Sequence, residues 1–592
     1  MNYPVWYLPE TGGGLLIALI AVLHVFVSHF AVGGGLYLIY AEKKGLRENS
    51  PAILEFVKKH ARFFLLLTMV FGSITGVGIW FIIALVSPAG TSLLIHNFVF
   101  GWAAEWVFFV VEIAAAFVYF YTFGRMDSAT HIKVGWVYFI SAWMSLLLIN
   151  GIIGVMLTPG LWAENMDFWV GFFNPSFLPS LFFRTFIAVM IAACYGYFSA
   201  SFVQDRDVRK AMTRFSAKWA LVSLFLMLPS AIWYISVLPE AAHTLVLGKS
   251  PTISGMMPWG LVGIIGVLII MLGGGVYRPR FNTKPVAVLS LFCALAIMGS
   301  FEWIREAARR PYVINEVMYS NGILKSDAEK LNSEGYLRNA LWVENKELID
   351  DNMMQAGEEL FIQQCYACHT VNGINNDIVV ASGNMSFRAL TKYIDTIHER
   401  RYFMPPFFGT DAEKQALATY IAGGLLGKEI VKELPKQMDS IAMGSAVFEE
   451  HCSSCHAPDD LTSGFDGVPL VEIIATLPIL NEISDEMEPF AGTAKEGEAL
   501  SRYLDGLNNP VTQLPIQEEG AITGELLFED NCSSCHELSE MAEIVEGQGK
   551  TGLVTMLGEL NDISDEMEPF SGTAEEQDTL AEFLESAKKG GQ

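Results

Sequence analysis

Eight apolar stretches, each long enough to cross a bilayer, fill the first half of this 592-residue chain, near 13–40, 62–87, 98–123, 134–157, 177–203, 216–238, 256–277 and 285–308. Backbone in hydrocarbon must satisfy its own polar groups, so continuous runs of this length can only be helices. The expected fold is therefore all-α, beginning with an eight-helix transmembrane bundle over 1–320. Lys and Arg sort the loops. Those after spans 1, 3, 5 and 7 hold 6, 2, 5 and 3 basic residues, whereas those after spans 2, 4 and 6 hold only Lys249. The positive-inside rule then puts both termini on the outer face. The first run is too long for a cleaved signal and is followed by "AEKKG", so it reads as a retained anchor.

Charge divides the chain in two. Residues 1–320 carry net +6 and residues 321–592 net −32. The second half is thus an acidic, water-soluble region on the outer side. Its surface would repel nucleic-acid phosphates, which excludes that class of partner. It would steer a basic partner protein.

Within the acidic half stand "CYACH" (Cys365, Cys368, His369) and two copies of "CSSCH" (Cys452, Cys455, His456; Cys532, Cys535, His536). Two thiols three positions apart can form thioethers to the two haem vinyl groups, and the adjacent His then reaches the iron. Three such pentapeptides predict three covalent c haems. A second pattern, M-x-P-F-x-G-T, recurs as "MPPFFGT", "MEPFAGT" and "MEPFSGT", its methionines 35, 31 and 31 residues after the haem histidines. Met404, Met487 and Met567 are therefore the expected second axial ligands, a pairing that raises reduction potential. The last two modules repeat with a period of 80 residues. The expected domains are 350–430, 436–512 and 516–592, joined to the membrane half by a linker at 321–349. These modules resemble small class I cytochrome c domains. Haem c is attached outside the cytoplasm, so they require the same outer C-terminus that the loop charges give, in a bacterial inner membrane. Cys194 and Cys293 fall in spans, as packing residues.

Of the eight histidines outside CxxCH, only His24 and His29 lie well inside a span. That is too few for a bc-type cytochrome b or a haem–copper oxidase. The other intramembrane ionisable residues are Glu105, Glu112, Arg184, Glu302 and Glu306, each expensive in lipid. His24 and Glu105 lie roughly 16 and 10 Å from the outer helix ends. At the last outer exit stands "FEWIREAARRPYVINEV" (301–317), crowded with arginine on the face where the loops avoid it.

"ALIAVLHVFVSHFAVGG", "GWAAEWVFFVVEIAAAF" and "EAARRPYVINEV" resemble subunit I of cytochrome bd oxidases over roughly 1–320. The resemblance implies two non-covalent haems of b and/or d type, with His24 and Glu316 as iron ligands. It implies that Glu105 and Glu112 serve ligation and proton delivery, though they are seven residues apart where the family spacing is eight. It also implies a second membrane subunit. Haem propionates would explain Arg305, Arg309 and Arg310; the alternative is mutual Glu302–Arg305 and Glu306–Arg309 pairing. Two departures count against quinol oxidation. The segment 239–255 is short where quinol-oxidising members have a long loop, and Arg184 stands where a low-spin haem ligand is expected, with Met256 and Met257 the remaining sulfur donors nearby. The function so implied is a terminal oxidase fed through the c haems. A quinol dehydrogenase passing electrons outward, or a non-catalytic electron-transfer subunit, stays open at this point.

Overall fold

The computed structural model describes residues 3–432, 440–461, 465, 468–484 and 487–508, and beyond them 524, 527, 528, 532, 549–558, 560, 570 and 574–587. The chain forms two compact units, Met1–Asn508 and Asn509–Gln592.

Eight helices are long and apolar enough to span a membrane: α1 (Gly13–Arg47), α2 (Pro51–Val86), α3 (Val99–Thr122), α4 (Ser128–Gly154), α5 (Phe177–Ala200), α6 (Arg206–Ser236), α7 (Thr252–Tyr277) and α8 (Lys284–Ala307). Several outrun the apolar stretches at their basic ends; α1 continues to Arg47 and α6 starts at Arg206. Hydropathy stops at the first charges, whereas the helical hydrogen-bond ladder continues into the interface. Helix α5 is the most buried of the eight. It lies against α1, where a Cβ on Gly33 would come within 2.1 Å of the Ala188 carbonyl. Small residues permit that approach, as in other helix pairs of membrane proteins. A π-helical turn, Leu67–Gly72, interrupts α2.

After α8 the chain makes a small antiparallel hairpin, β1 (Tyr312–Ile314) with β2 (Met318–Tyr319). Ile314 and Val317 pack with Leu94, Phe98, Ile152 and Trp162 at the bundle's end. The expected linker is folded: helices α9 (Ala328–Glu334) and α10 (Tyr336–Asn339) put Leu331, Tyr336 and Leu337 into one core with the first cytochrome module. The buried Glu413 carboxylate accepts from the Tyr336 and Leu337 N–H groups at 2.9 and 2.7 Å and so holds them there.

That module contains α11 (Met353–Leu360), α12 (Phe387–Asp395) and α13 (Asp411–Ala418). The next contains α14 (Ser440–His451), α15 (Leu470–Thr476) and α16 (Ala494–Asn508). The second unit has α17 (Lys550–Gly558) and α18 (Ala574–Ala587) around Leu553, Leu557, Leu580 and Leu584.

One crossing is common to all three. Eight residues before each first cysteine stands Gly357, Gly444 or Gly524. A Cβ there would meet the Ala416 carbonyl at 2.1 Å, the Ala499 carbonyl at 1.9 Å and the Phe583 Cβ at 2.1 Å. Four residues before each first cysteine, Phe361, Phe448 and Phe528 are buried. In the pattern G-x3-F-x3-C-x2-C-H the glycine thus encodes a close helix crossing and the phenylalanine a core anchor ahead of the two cysteines.

Candidate functional site

In the first module the main chain turns helically through the motif, with Cys368 N–H and His369 N–H donating to the Cys365 carbonyl at 3.1 and 3.0 Å. One turn therefore carries both thiols and the imidazole. His369 Nδ1 donates to the Asn376 carbonyl at 3.1 Å. That bond fixes the tautomer and leaves Nε2 with its lone pair free. Desolvation, helped by the positive charge of Arg310, pulls the His369 pKa below its ordinary value. Neutral imidazole is the ligating form, so the residues fit a haem iron. Burial pushes the Cys365 thiol up to about 12.

Gln364, just before Cys365, ties the two motifs together. Its amide donates to the Phe408 carbonyl at 2.6 Å and accepts from the Phe408 N–H at 2.9 Å. His398 Nδ1 donates to the Met404 carbonyl at 2.7 Å. The terminal Thr of M-x-P-F-x-G-T is a helix N-cap. Thr410 forms a capping box with Glu413, and Thr493 exchanges the same bonds with Glu496.

The second module repeats the turn, with Cys455 and His456 N–H groups donating to the Cys452 carbonyl, both at 3.0 Å. Burial pushes the Cys452 thiol to about 12. Phe490, in the Met487 motif, packs at a tilt with its ring centre 4.9 Å from that of His451. In the third module Cys532 packs against the α17–α18 core; Cys535, His536 and Met567 lie outside the described residues.

In the membrane half, α3 and α4 run antiparallel and meet at three levels, seven residues apart on each helix. Ser145 donates to Glu105 at 2.6 Å. Tyr138 donates to Glu112 at 3.1 Å. His131 Nε2 meets the Tyr119 carbonyl at 2.8 Å. At the last level Glu42 of α1 joins, accepting from Tyr119 Oη and His131 Nδ1, both at 2.8 Å. A cavity of about 10 Å³, lined by Tyr119 and Tyr138, opens between the second and third levels. That is roughly the room one water needs. The spacing of seven brings each set of side chains to one helix face. Glu42, Tyr119, His131 and Tyr138 had no role in the sequence reading, because only the α3–α4 pairing shows that they share a line with Glu105 and Glu112.

His24 Nδ1 lies 3.1 Å from Thr75 Oγ1, just beyond the π-turn of α2. π-turns frequently mark functional sites. His29 is buried; its Nδ1 donates to the Val25 carbonyl at 2.8 Å, and its Nε2 has no hydrogen-bond partner. Two imidazoles on one helix, one with a free buried lone pair, suit iron ligation. Glu316 stands apart from them, at the hairpin tip with φ 58°, half exposed and paired with Lys325.

The arginines divide. Arg305 Nε donates to Glu302 at 2.9 Å, and Arg184 reaches the same buried carboxylate at 2.8 Å. Arg309 pairs with Glu306 and donates to the Val313 carbonyl at 2.7 Å. For these two, mutual pairing is what the structure displays. Arg310 instead meets Cys368 Sγ.

Comparison with known proteins agrees on the first module: residues 352–421 match the family described as cytochrome C oxidase, cbb3-type, subunit III. No curated protein matches the chain. Among solved structures, bd oxidase from Geobacillus thermodenitrificans matches with a TM-score of 0.44 and 17% identity, over 51% of this chain and 88% of that one. A cytochrome c domain joined to eight membrane-length helices makes this a multi-pass membrane redox protein, and the domain implies covalent haem c.

Proposed function

We propose that the chain is the catalytic subunit of a terminal oxidase, taking electrons from a basic soluble cytochrome or another outside donor and reducing dioxygen to water. Bound haem would supply one-electron iron chemistry and, in the membrane half, an open iron position for dioxygen. Each dioxygen needs four electrons and four protons to become two waters. His24 would hold the iron of one membrane haem and Glu316, on the hairpin, that of the other once released from Lys325; Glu105 and Glu112 would hold and pass protons. The motifs that resemble bd oxidase subunit I support this assignment, and a second membrane subunit goes with it.

The observation that carries the reading is the α3–α4 ladder. A pure electron carrier has no use for three levels of proton-bearing groups inside the bundle, two of them buried and the Glu105 level half-buried. Here they descend from Glu105 in the outer half to Glu42 and His131 at the basic-loop end of the bundle. Glu105, Glu112, Glu42 and His131 can each take up and release a proton, as general acid–base chemistry requires, and water between the levels, about 10 Å apart on the helix, would link them.

Purified protein should consume oxygen with reduced cytochrome c, and its reduced spectrum should change on adding CO. Reduction of the c haems by quinol under anaerobic conditions, with no oxygen uptake from any soluble donor, would overturn the reading in favour of a quinol dehydrogenase. A membrane half without CO-binding haem would leave an electron-transfer subunit.

A further inference from the structure

The second cysteine of each described haem motif is met by an arginine from the part of the chain before it. Arg310, at the exit of α8, touches Cys368 Sγ, and Ser320 Oγ lies 4.0 Å from the same sulfur. Arg401, on the segment leading to Met404, lies 3.7 Å from Cys455 Sγ. Two independent anchors fix these approaches. Tyr366, between the first pair of cysteines, donates to the Trp6 carbonyl at 3.0 Å and accepts from the Leu8 N–H at 2.8 Å, which clamps the first motif to the start of α1. Arg388 and Lys392 of α12 hold Glu450 of α14 at 2.6 and 3.4 Å, which clamps the second motif to the first module.

The thioether sulfurs mark the edge at which a c haem is attached. The first module therefore turns its attachment edge to the membrane half, and its methionine side to the attachment edge of the second. The first two modules stack head to tail. Electron tunnelling falls off exponentially with the gap, so the order of contacts is the order of transfer.

We infer that the first cytochrome module is the obligatory relay between the membrane half and the second module, with Arg310 and Arg401 as the positioning residues of its two junctions. Each passage moves one electron, oxidising one haem iron and reducing its neighbour, with no bond formed and no proton moved. A haem attached at either cysteine would lie beside that arginine, whose charge disfavours the more positive ferric state and would raise the potential. The inference rests on the proposed oxidase only for the haems of the membrane half.

Potentiometric titration of the full-length protein tests the junctions without reference to oxygen. Arg310→Gln should lower the midpoint potential of one c haem, and Arg401→Gln that of a different one. In a Cys365→Ala/Cys368→Ala background the Arg310→Gln shift should vanish while the Arg401→Gln shift persists. Shifts in the same haem, or in none, would overturn the assignment. Rapid mixing with reduced cytochrome c tests the relay. Without the first c haem, the remaining c haems should still reduce while the membrane haems stay oxidised. Reduction of the membrane haems at the wild-type rate in that variant would sink the relay. A wild-type protein whose haemochrome spectrum contains only haem c would sink the oxidase reading instead, and the potential shifts would then decide the order of the modules.

Discussion

Gln364 and Phe408 exchange two hydrogen bonds across 44 residues, joining the turn that carries Cys365 to the loop that carries Met404. Neither residue carries an iron-ligating group, yet the pair ties the histidine side to the methionine side. Gln364→Leu leaves a buried N–H and C=O unpaired, at a cost of about 2–4 kcal/mol. The expected result is a lower unfolding midpoint and a weaker methionine-to-iron charge-transfer band, with haem attachment intact. Unchanged band and midpoint would show that the loop is held by other means.

Breaking the proton ladder should separate chemistry from electron supply. Glu112→Gln, Tyr138→Phe and Glu42→Gln each remove one carrier while preserving shape. Oxygen consumption is expected to fall on the order of a hundredfold for Glu112→Gln, with the rate of c-haem reduction by ascorbate unaltered. Full oxygen uptake in all three variants would mean that protons take another path.

Glu302 lies between Arg184 and Arg305 at 2.8 and 2.9 Å, buried in the bundle. Glu302→Gln leaves two buried guanidinium groups without their countercharge. Loss of one partner from a buried pair costs about 3–5 kcal/mol, so the variant should melt well below the wild type in detergent. Arg184→Lys should be milder, because the charge survives although the fork is lost.

The net charge of −32 on residues 321–592 predicts that a basic donor associates quickly at low salt. Stopped-flow association should slow steeply between about 10 mM and 150 mM ionic strength as the Debye length shrinks from about 30 to 8 Å. A rate that ignores salt would exclude electrostatic steering by this surface.

The membrane bundle was largely legible from sequence, because length and apolarity alone dictate helices in hydrocarbon; all eight expected stretches are helices in the structure. The first cytochrome module was legible for a different reason: attachment to two vinyl groups calls for two thiols and an adjacent imidazole at a set spacing, and residues 352–421 match a cytochrome family. What could not be read was pairing between elements. His131 looked like a residue at a helix edge, yet it is 2% exposed and bonded to Glu42, 89 positions away. Residues 321–349 looked like a linker because they are polar, although four main-chain and side-chain groups gather on Glu413 to fold part of them. The glycine that precedes each haem motif by eight was present in the sequence all along. It had no evident meaning until the helix it crosses was known.

Tyr366 takes its two hydrogen bonds from residues 6 and 8, so the clasp on the first haem motif joins positions about 360 apart in the chain. The N-terminal segment is made first, but it has nothing to grip until residue 366 has been synthesised. The first haem motif is thus held from both sides of the membrane half, by the residues that precede the first span through Tyr366 and by those that follow the eighth through Arg310.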